Sequence, residues 1–595
     1  ELMRRPPPGG GARRAARTSA ARSRRLAQTS VKYLNRRAMS ASRAVSARRC
    51  ELAFMPKGSA RAVQKRSTAA SSSKEPPPSQ SIKSQLTPQQ RVSQTFALYR
   101  TGNKATKAPG CVGLAKQPLG ATPSEARRAR NAQQRAIMQA CTKLGTVPIP
   151  ALFFQEALHG AEGDTIFPTP AALGSSWEPH LVERVMAAVA AGARALGSHA
   201  VLAPVLDLFV DGRFGRMQEG FGEDPMHVAS FARAAVNGLQ GAAKQDESGS
   251  DSSSSSNGAD AAIGSNSNSG NLGGRRSSSS SSNSLRRLRS NRVYAIAKHF
   301  VGYGAVAGGL NGAASTVTDR SLLEDHLRPW RAFVDAGGSG VMAGHHSALG
   351  VPCHANGPLL RGVLRSQLRM THGLILSDCN DIGNLVAFRV AANRTMAASI
   401  AMAAGIDVDL QCGRHCPKFP PHPHSSSLDG ASTEGAAAPV GDCGAFVELP
   451  KAIEHGTLPA ASLRAAVSRI LSFKSSSGVM RTPIEPASTD RLASSLDAPH
   501  TRALARLAAE RGAVLLLNKH ETLPLLPSSS SGRSTKQRRL RILVSGNAGG
   551  CGNDGDGEKA AQGEPLCPAQ SLLLGSYTSL LSARRARIPT IAGAL

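Results

Sequence analysis

Short apolar runs that stop at a charged or polar residue recur along the middle of the chain. Gly373-Leu-Ile-Leu-Ser-Asp378 ends in a carboxylate, with Cys379, Asn380 and Asp381 behind it. Pro150-Ala-Leu-Phe-Phe154 leads to Glu156 and His159, and Ala200-Val-Leu-Ala-Pro-Val-Leu206 leads to Asp207. Val293-Tyr-Ala-Ile-Ala297 leads to Lys298 and His299, and Gly340-Val-Met-Ala343 leads to His345 and His346. Between these runs Ala, Leu, Val and Phe recur at three- and four-residue spacing, as from Pro179 to Leu196 and from Asp319 to Ala336, which predicts helices. Strands alternating with helices form parallel βαβ units. Polar groups gathered at the C-terminal ends of many such strands favour a (β/α)8 barrel over an open sheet, because a barrel points them at one mouth. A single strand ending in Asp proves little, since strands often end in polar residues where they meet solvent. The repetition of the arrangement gives it weight.

Low-complexity stretches set the boundaries. Residues 244–291 are dominated by Ser, Asn and Gly and read as a loop insertion, because such a segment buries too little apolar surface to offset its ordering entropy. Residues 418–442, rich in Pro, His and Ser, read as a second insert after the strand-like Gly405-Ile-Asp-Val-Asp-Leu410. A helical pattern follows from Phe446 to Ser475. The expected organisation is a disordered basic tail over 1–100, a barrel over 101–480, a linker over 481–497 and the start of an α/β sandwich domain over 498–595. In that last part Thr501 to Arg511 reads as a helix, and Ala513-Val-Leu-Leu-Leu517 and Leu540-Arg-Ile-Leu-Val-Ser545 read as strands.

The 595 residues suffice for two domains with an ample core. The formal charge of +32 changes meaning once it is located. Residues 1–90 carry 20 Lys and Arg against three acids, and residues 91–135 carry nine against one, so 25 of the 32 charges lie before residue 136. Charge confined to a tail argues against a nucleic-acid-binding face on the folded part. The tail also has the composition of an organelle transit peptide, which stands as a second reading, but it lacks the apolar core of a signal peptide. No run of 18 apolar residues occurs, so no membrane span is expected. Ten cysteines in a chain of this length are too sparse for a disulfide framework. Cys412-Gly-Arg-His-Cys416 lacks a second ligand pair, and a loop disulfide or free thiols are preferred to a metal site.

The motifs then fall into a recognisable order. Glu156-Ala-Leu-His-Gly160, Phe167-Pro168, Ala203-Pro-Val-Leu-Asp207 and Gly215-Arg216-Met-Gln-Glu219-Gly-Phe-Gly-Glu223-Asp224-Pro225 come first. Lys298-His299-Phe300-Val-Gly-Tyr303-Gly304, Val341-Met342, Gly350-Val-Pro352, His354-Ala-Asn356, Leu359-Leu360 and Ser377-Asp378 follow. This series resembles glycoside hydrolase family 3, the β-glucosidases and β-xylosidases. Residues 130–480 follow the family's barrel domain and residues 498–595 the start of its sandwich domain, including Val514-Leu-Leu-Leu-Asn518 and Leu523-Pro524-Leu525.

The resemblance implies an exo-acting, retaining β-glycosidase that removes terminal glucose or xylose from a β-linked glycoside and needs no metal or organic cofactor. It puts Asp378 at the nucleophile's position, with a second carboxyl group serving as acid and base. Glu156, Arg216, Lys298 and His299 are implied to bind sugar hydroxyls, with His345 a further polar lining residue; carboxylate, guanidinium and ammonium groups engage vicinal hydroxyls well. Arg216 with Glu219, Glu223 and Asp224 also reads as a structural salt-bridge network. Asp207 and Glu223 are assigned to barrel structure. The chain departs from the family at Cys379, where many members carry an aromatic residue, as also at His345 and His346, and these departures leave substrate preference open. The acid/base of two-domain members is expected beyond Leu595, since Glu558 and Glu564 lie in a Gly-rich insert. The alternative implied is a carbohydrate-binding remnant with defective catalysis. Family habit favours a secreted enzyme.

Overall fold

The computed structural model describes residues 85–98, 112–118, 122–143, 147–241, 288, 291–411, 444–484, 496–519 and 523. Eight strands form one parallel sheet: Phe96–Leu98 (β1), Leu114–Lys116 (β2), Leu152–Gln155 (β3), Ala200–Val201 (β4), Tyr294–Phe300 (β5), Gly340–Ala343 (β6), Leu374–Leu376 (β7) and Asp409–Gln411 (β8). Each strand from β2 to β7 pairs with its predecessor, and β8 pairs with β1 through Phe96↔Asp409. The ring closes at a parallel bridge between Leu376 and Val408, reinforced by the Ser377 N–H donating to the Val408 carbonyl at 2.8 Å. With no open edge left, the sheet is a (β/α)8 barrel.

Alternation along the strands decides what fills it. Ala97, Leu114, Leu152, Phe154, Ala200, Tyr294, Ile296, Met342, Leu374, Leu376 and Leu410 form one buried apolar cluster to which all eight strands contribute. The residues between them, such as Phe153, Ala295 and Ile375, join a second cluster made with the surrounding helices. Inward positions recur every second residue. The next inward positions are Glu156 and Asp378, just past the C-terminal ends of β3 and β7, and Lys298 within the C-terminal half of β5. The strand pleat therefore puts these three polar groups over the apolar plug rather than among the helices.

The other end of the barrel is stopped by the helix Ala460–Ser477. Its Ile470 and Phe473 belong to the interior cluster, and the Phe473 ring lies 4.3 Å from that of Tyr294 at the start of β5. Phe473 is fully buried, so Phe473→Ala is expected to cost about 3–5 kcal/mol in denaturant unfolding. Outside, Pro179–Leu196 packs on Pro225–Gln240, which packs on Leu327–Asp335. A Cβ on Gly238 would stand 2.5 Å from the Glu183 carbonyl, so the first of these contacts requires glycine there. Asp224 caps the helix Pro225–Gln240 by accepting from the Met226 and His227 N–H groups at 2.9 and 2.7 Å.

Several expectations are corrected. The barrel starts inside the stretch expected to be tail: Pro88–Gln94 is a helix with a Thr87/Gln90 capping box, and β1 follows it. The strand expected over Ala200–Leu206 regularly pairs only at Ala200–Val201, with two further isolated bridges at Val205, to Gly220 and to Lys298, because Pro204 has no N–H to donate to a ladder. Lys298 and His299 are part of β5 rather than residues after it. Ala513–Leu517 forms no strand, and Val514, Leu515, Leu516 and Leu517 are all exposed, with no neighbouring strand among the described residues to pair with. The expected helix before it is present as Pro499–Gly512, tied to the barrel by Thr501 Oγ1 at 2.9 Å from Thr165 Oγ1. Residues 1–84, the two inserts apart from Leu288 and Asn291, the strand expected at 540–545, Cys412, Cys416, Glu558 and Glu564 lie outside the described residues.

Candidate active site

Asp378 stands just past β7, buried, with its two carboxylate oxygens in different roles. Oδ1 accepts from the Cys379 N–H at 2.7 Å. Oδ2 accepts no hydrogen bond among the described residues, but His345 Nε2 lies 3.2 Å from it, off hydrogen-bond alignment, and His299 Nε2 lies 3.8 Å away. The Asp378 N–H donates to His354 Nε2 at 2.9 Å. One oxygen is thus anchored, and the other keeps its lone pairs available.

His299 is fixed from the other side. Its Nδ1 lies 2.9 Å from Asp207 Oδ2, its backbone N–H donates to the same oxygen at 3.1 Å, and the Tyr303 N–H donates to Asp207 Oδ1. Burial holds the His299 ring well below the usual histidine range, helped by the cations of Arg216 and Lys298. A neutral ring whose Nδ1–H faces Asp207 has a bare Nε2, which accepts from Arg216 Nη2 at 3.1 Å. Burial also pushes the Asp207 carboxyl up to about 7, against the N–H donors that favour its charge.

Arg216 forks onto Glu219 through Nε and Nη2, both at 2.8 Å, and its guanidinium sits 5.4 Å above the Tyr303 ring. The salt-bridge reading of this motif therefore describes a real contact, and the same guanidinium also reaches His299. Glu223 is exposed and Asp224 only caps a helix, so neither belongs to the site. Lys298 and Glu156 make a buried pair at 2.8 Å, in which their side chains are 2% and 4% exposed. His346 lies beneath the opening, stacked on Tyr303 at 4.9 Å, with Nε2 2.9 Å from the Val301 carbonyl oxygen.

The structure thus joins Arg216, His299, Asp378 and His345 into a chain of contacts, with Lys298 and Glu156 as a separate pair rooted on β5 and after β3. Sequence reasoning missed two participants, Asp381 and His354. Both lie within quoted motifs, yet their role depends on side chains from different loops meeting. Cys379, noted as a departure, is disulfide-bonded.

The profile of the Glycosyl hydrolase family 3 N terminal domain matches residues 119–473. The chain belongs to glycoside hydrolase family 3. It is 31% identical over 387 residues to a protein named beta-xylosidase from Formosa agariphila, covering 63% of this chain and 44% of that one. It is 26% identical over 390 residues to a periplasmic beta-glucosidase from Salmonella typhimurium, covering 65% and 41%. A solved β-glucosidase structure from Erythrobacter marinus superposes with a TM-score of 0.59 at 27% identity, over 76% of this chain and 51% of that one. The chain spans less than half the length of the two curated relatives named here. Among the described residues, no helix is long and apolar enough to cross a membrane.

Proposed function

We propose that the chain carries the nucleophile and sugar-binding mouth of an exo-acting, retaining β-glycosidase that acts on terminal β-D-glucosyl or β-D-xylosyl residues. The observation that carries this reading is the Oδ2 atom of Asp378: buried at a barrel mouth, without a hydrogen bond among the described residues, and faced by imidazoles. A carboxylate so held attacks an anomeric carbon through Oδ2 while Oδ1 stays on the Cys379 N–H. The C–O bond to the leaving group breaks as the new ester bond forms, and water later cleaves that ester, so the product keeps the β configuration.

The acid and base are assigned to a carboxyl group outside this cluster, because each other described carboxylate here is committed. Glu156 holds Lys298, Glu219 holds Arg216, Asp207 holds His299, and Asp381 holds His345 and Asn384. Arg216 and His299 are proposed to bind hydroxyls on one side of the sugar and His345 on another, with Lys298 and Glu156 completing the pocket. Family relatives named for xylosides and for glucosides support the substrate class without choosing between the two sugars.

A 2,4-dinitrophenyl leaving group departs without a proton, so it tests the nucleophile independently of the acid. The full chain is expected to release dinitrophenolate from the β-glucoside or the β-xyloside, and NMR of the first sugar product is expected to show the β anomer. A first-formed α anomer, or inertness toward both glycosides, would contradict the proposal.

A further inference from the structure

We propose that Asp381 is the positioning residue of the nucleophile, acting on Asp378 through two imidazoles, His345 and His354. The inference rests on the reading of Asp378 as nucleophile, but its geometry is independent of that reading. Asp381 is buried, and its Oδ2 lies 2.6 Å from His345 Nδ1 and 3.8 Å from His354 Nδ1. Its Oδ1 accepts from Asn384 Nδ2 at 2.8 Å. The far nitrogens of the same two rings meet Asp378: His345 Nε2 at the free oxygen and His354 Nε2 at the backbone N–H.

Each ring is therefore faced by the Asp381 carboxylate on one side and presented to Asp378 on the other, His345 to the carboxylate and His354 to the backbone N–H. His354 must carry its proton on Nδ1, the side facing Asp381, because its Nε2 accepts the Asp378 N–H. His345 needs protons on both nitrogens to satisfy both carboxylates. Asn380 permits the arrangement by adopting left-handed backbone, φ 60°, which turns the chain so that Asp381 opens the helix Asp381–Ala387 beneath the two rings.

The charge state follows from what surrounds His345. Burial opposes its charge, yet Asp378 and Asp381 outweigh that and push it up to about 9, against the repulsion of Arg216. The other groups near it are His299 on β5, Tyr303 beyond β5 with its ring 6.1 Å away, the adjacent His346, and His354. All three of these histidines are held below the usual range, chiefly by burial, so His345 is the charged imidazole of the group. The cation persists through neutrality and is lost as pH rises through about 9. It places a positive charge 3.2 Å from Asp378 Oδ2 while Asp381 prevents the ring from turning away.

Histidine-selective 15N NMR on the full chain, with His345 assigned by its loss in His345→Gln, reads the charge directly. In the wild type, His345 should remain an imidazolium above pH 8. Asp381→Asn keeps the shape and an acceptor oxygen but removes the anion, and should lower the His345 midpoint by about one unit or more. The same variant should slow dinitrophenol release at pH 8 by about tenfold or more with its melting temperature nearly retained. A wild-type midpoint near the ordinary histidine value would overturn the proposal without any variant of Asp381. So would Asp381→Asn with an unchanged midpoint or an unchanged rate. A failed nucleophile reading shows itself differently, as dinitrophenol release surviving Asp378→Asn, while the histidine titration stands on its own.

Discussion

Asp378→Asn is expected to lower dinitrophenol release from the preferred glycoside by about 10⁴-fold or more, the order of loss seen when a covalent nucleophile is removed. The substitution is nearly isosteric, and the amide oxygen still accepts the Cys379 N–H, so the fold should survive. What disappears is the lone pair and charge at Oδ2, a buried oxygen that accepts no hydrogen bond among the described residues. Asp378→Gly opens the space that the carboxylate fills. Azide entering there should restore turnover and yield the α-glycosyl azide, since a small anion attacks from the face the carboxylate attacks. Restoration with that stereochemistry separates a missing nucleophile from a damaged pocket.

Lys298→Met should destabilise the barrel by about 3–5 kcal/mol, because it leaves the Glu156 carboxylate buried without its cation. The pair lies directly above the apolar interior, 2.8 Å apart, and both partners are nearly inaccessible. The cost arises in the folded state whether or not substrate binds, and denaturant unfolding without substrate measures it. Lys298→Met combined with Glu156→Leu should recover much of the loss, since two apolar groups do not require mutual neutralisation. A sugar-binding role predicts that the double variant, though stable, still binds substrate poorly.

The barrel was legible where the sequence around a strand carries its pattern. β3, β5, β6 and β7 stand out as apolar runs that end at polar groups, and period-two alternation carries Phe154 to Glu156, Ile296 to Lys298 and Leu376 to Asp378. β1 and β2 escaped because Phe96–Leu98 and Leu114–Lys116 are set in a basic sequence that reads as tail. Two local signals were present there and went unused. Thr87 with Gln90, and Thr122 with Glu125, have capping-box spacing, and both boxes form.

The opposite error came at Ala513–Leu517. Its composition is ideal for a strand, but strand structure depends on a paired neighbour, and composition does not supply one. The site divides in the same way. Asp378, Arg216, Lys298 and His299 are recognisable by type and order, while the hub at Asp381 is visible only once three loops are folded together. Arg216 also shows why the two sequence readings need not compete: its fork on Glu219 orients the guanidinium that then reaches His299.

The central claim is that Asp378 forms a covalent bond to the sugar. A 2-deoxy-2-fluoro β-glycoside with a dinitrophenyl leaving group, in the gluco or xylo form the chain turns over, slows breakdown of the ester enough to trap it. Peptide mapping by mass spectrometry should then find one fluoroglycosyl group on the peptide containing Asp378, localised to that side chain. A label on another carboxylate, or rapid turnover of the good substrate with no trapped ester, would contradict the account.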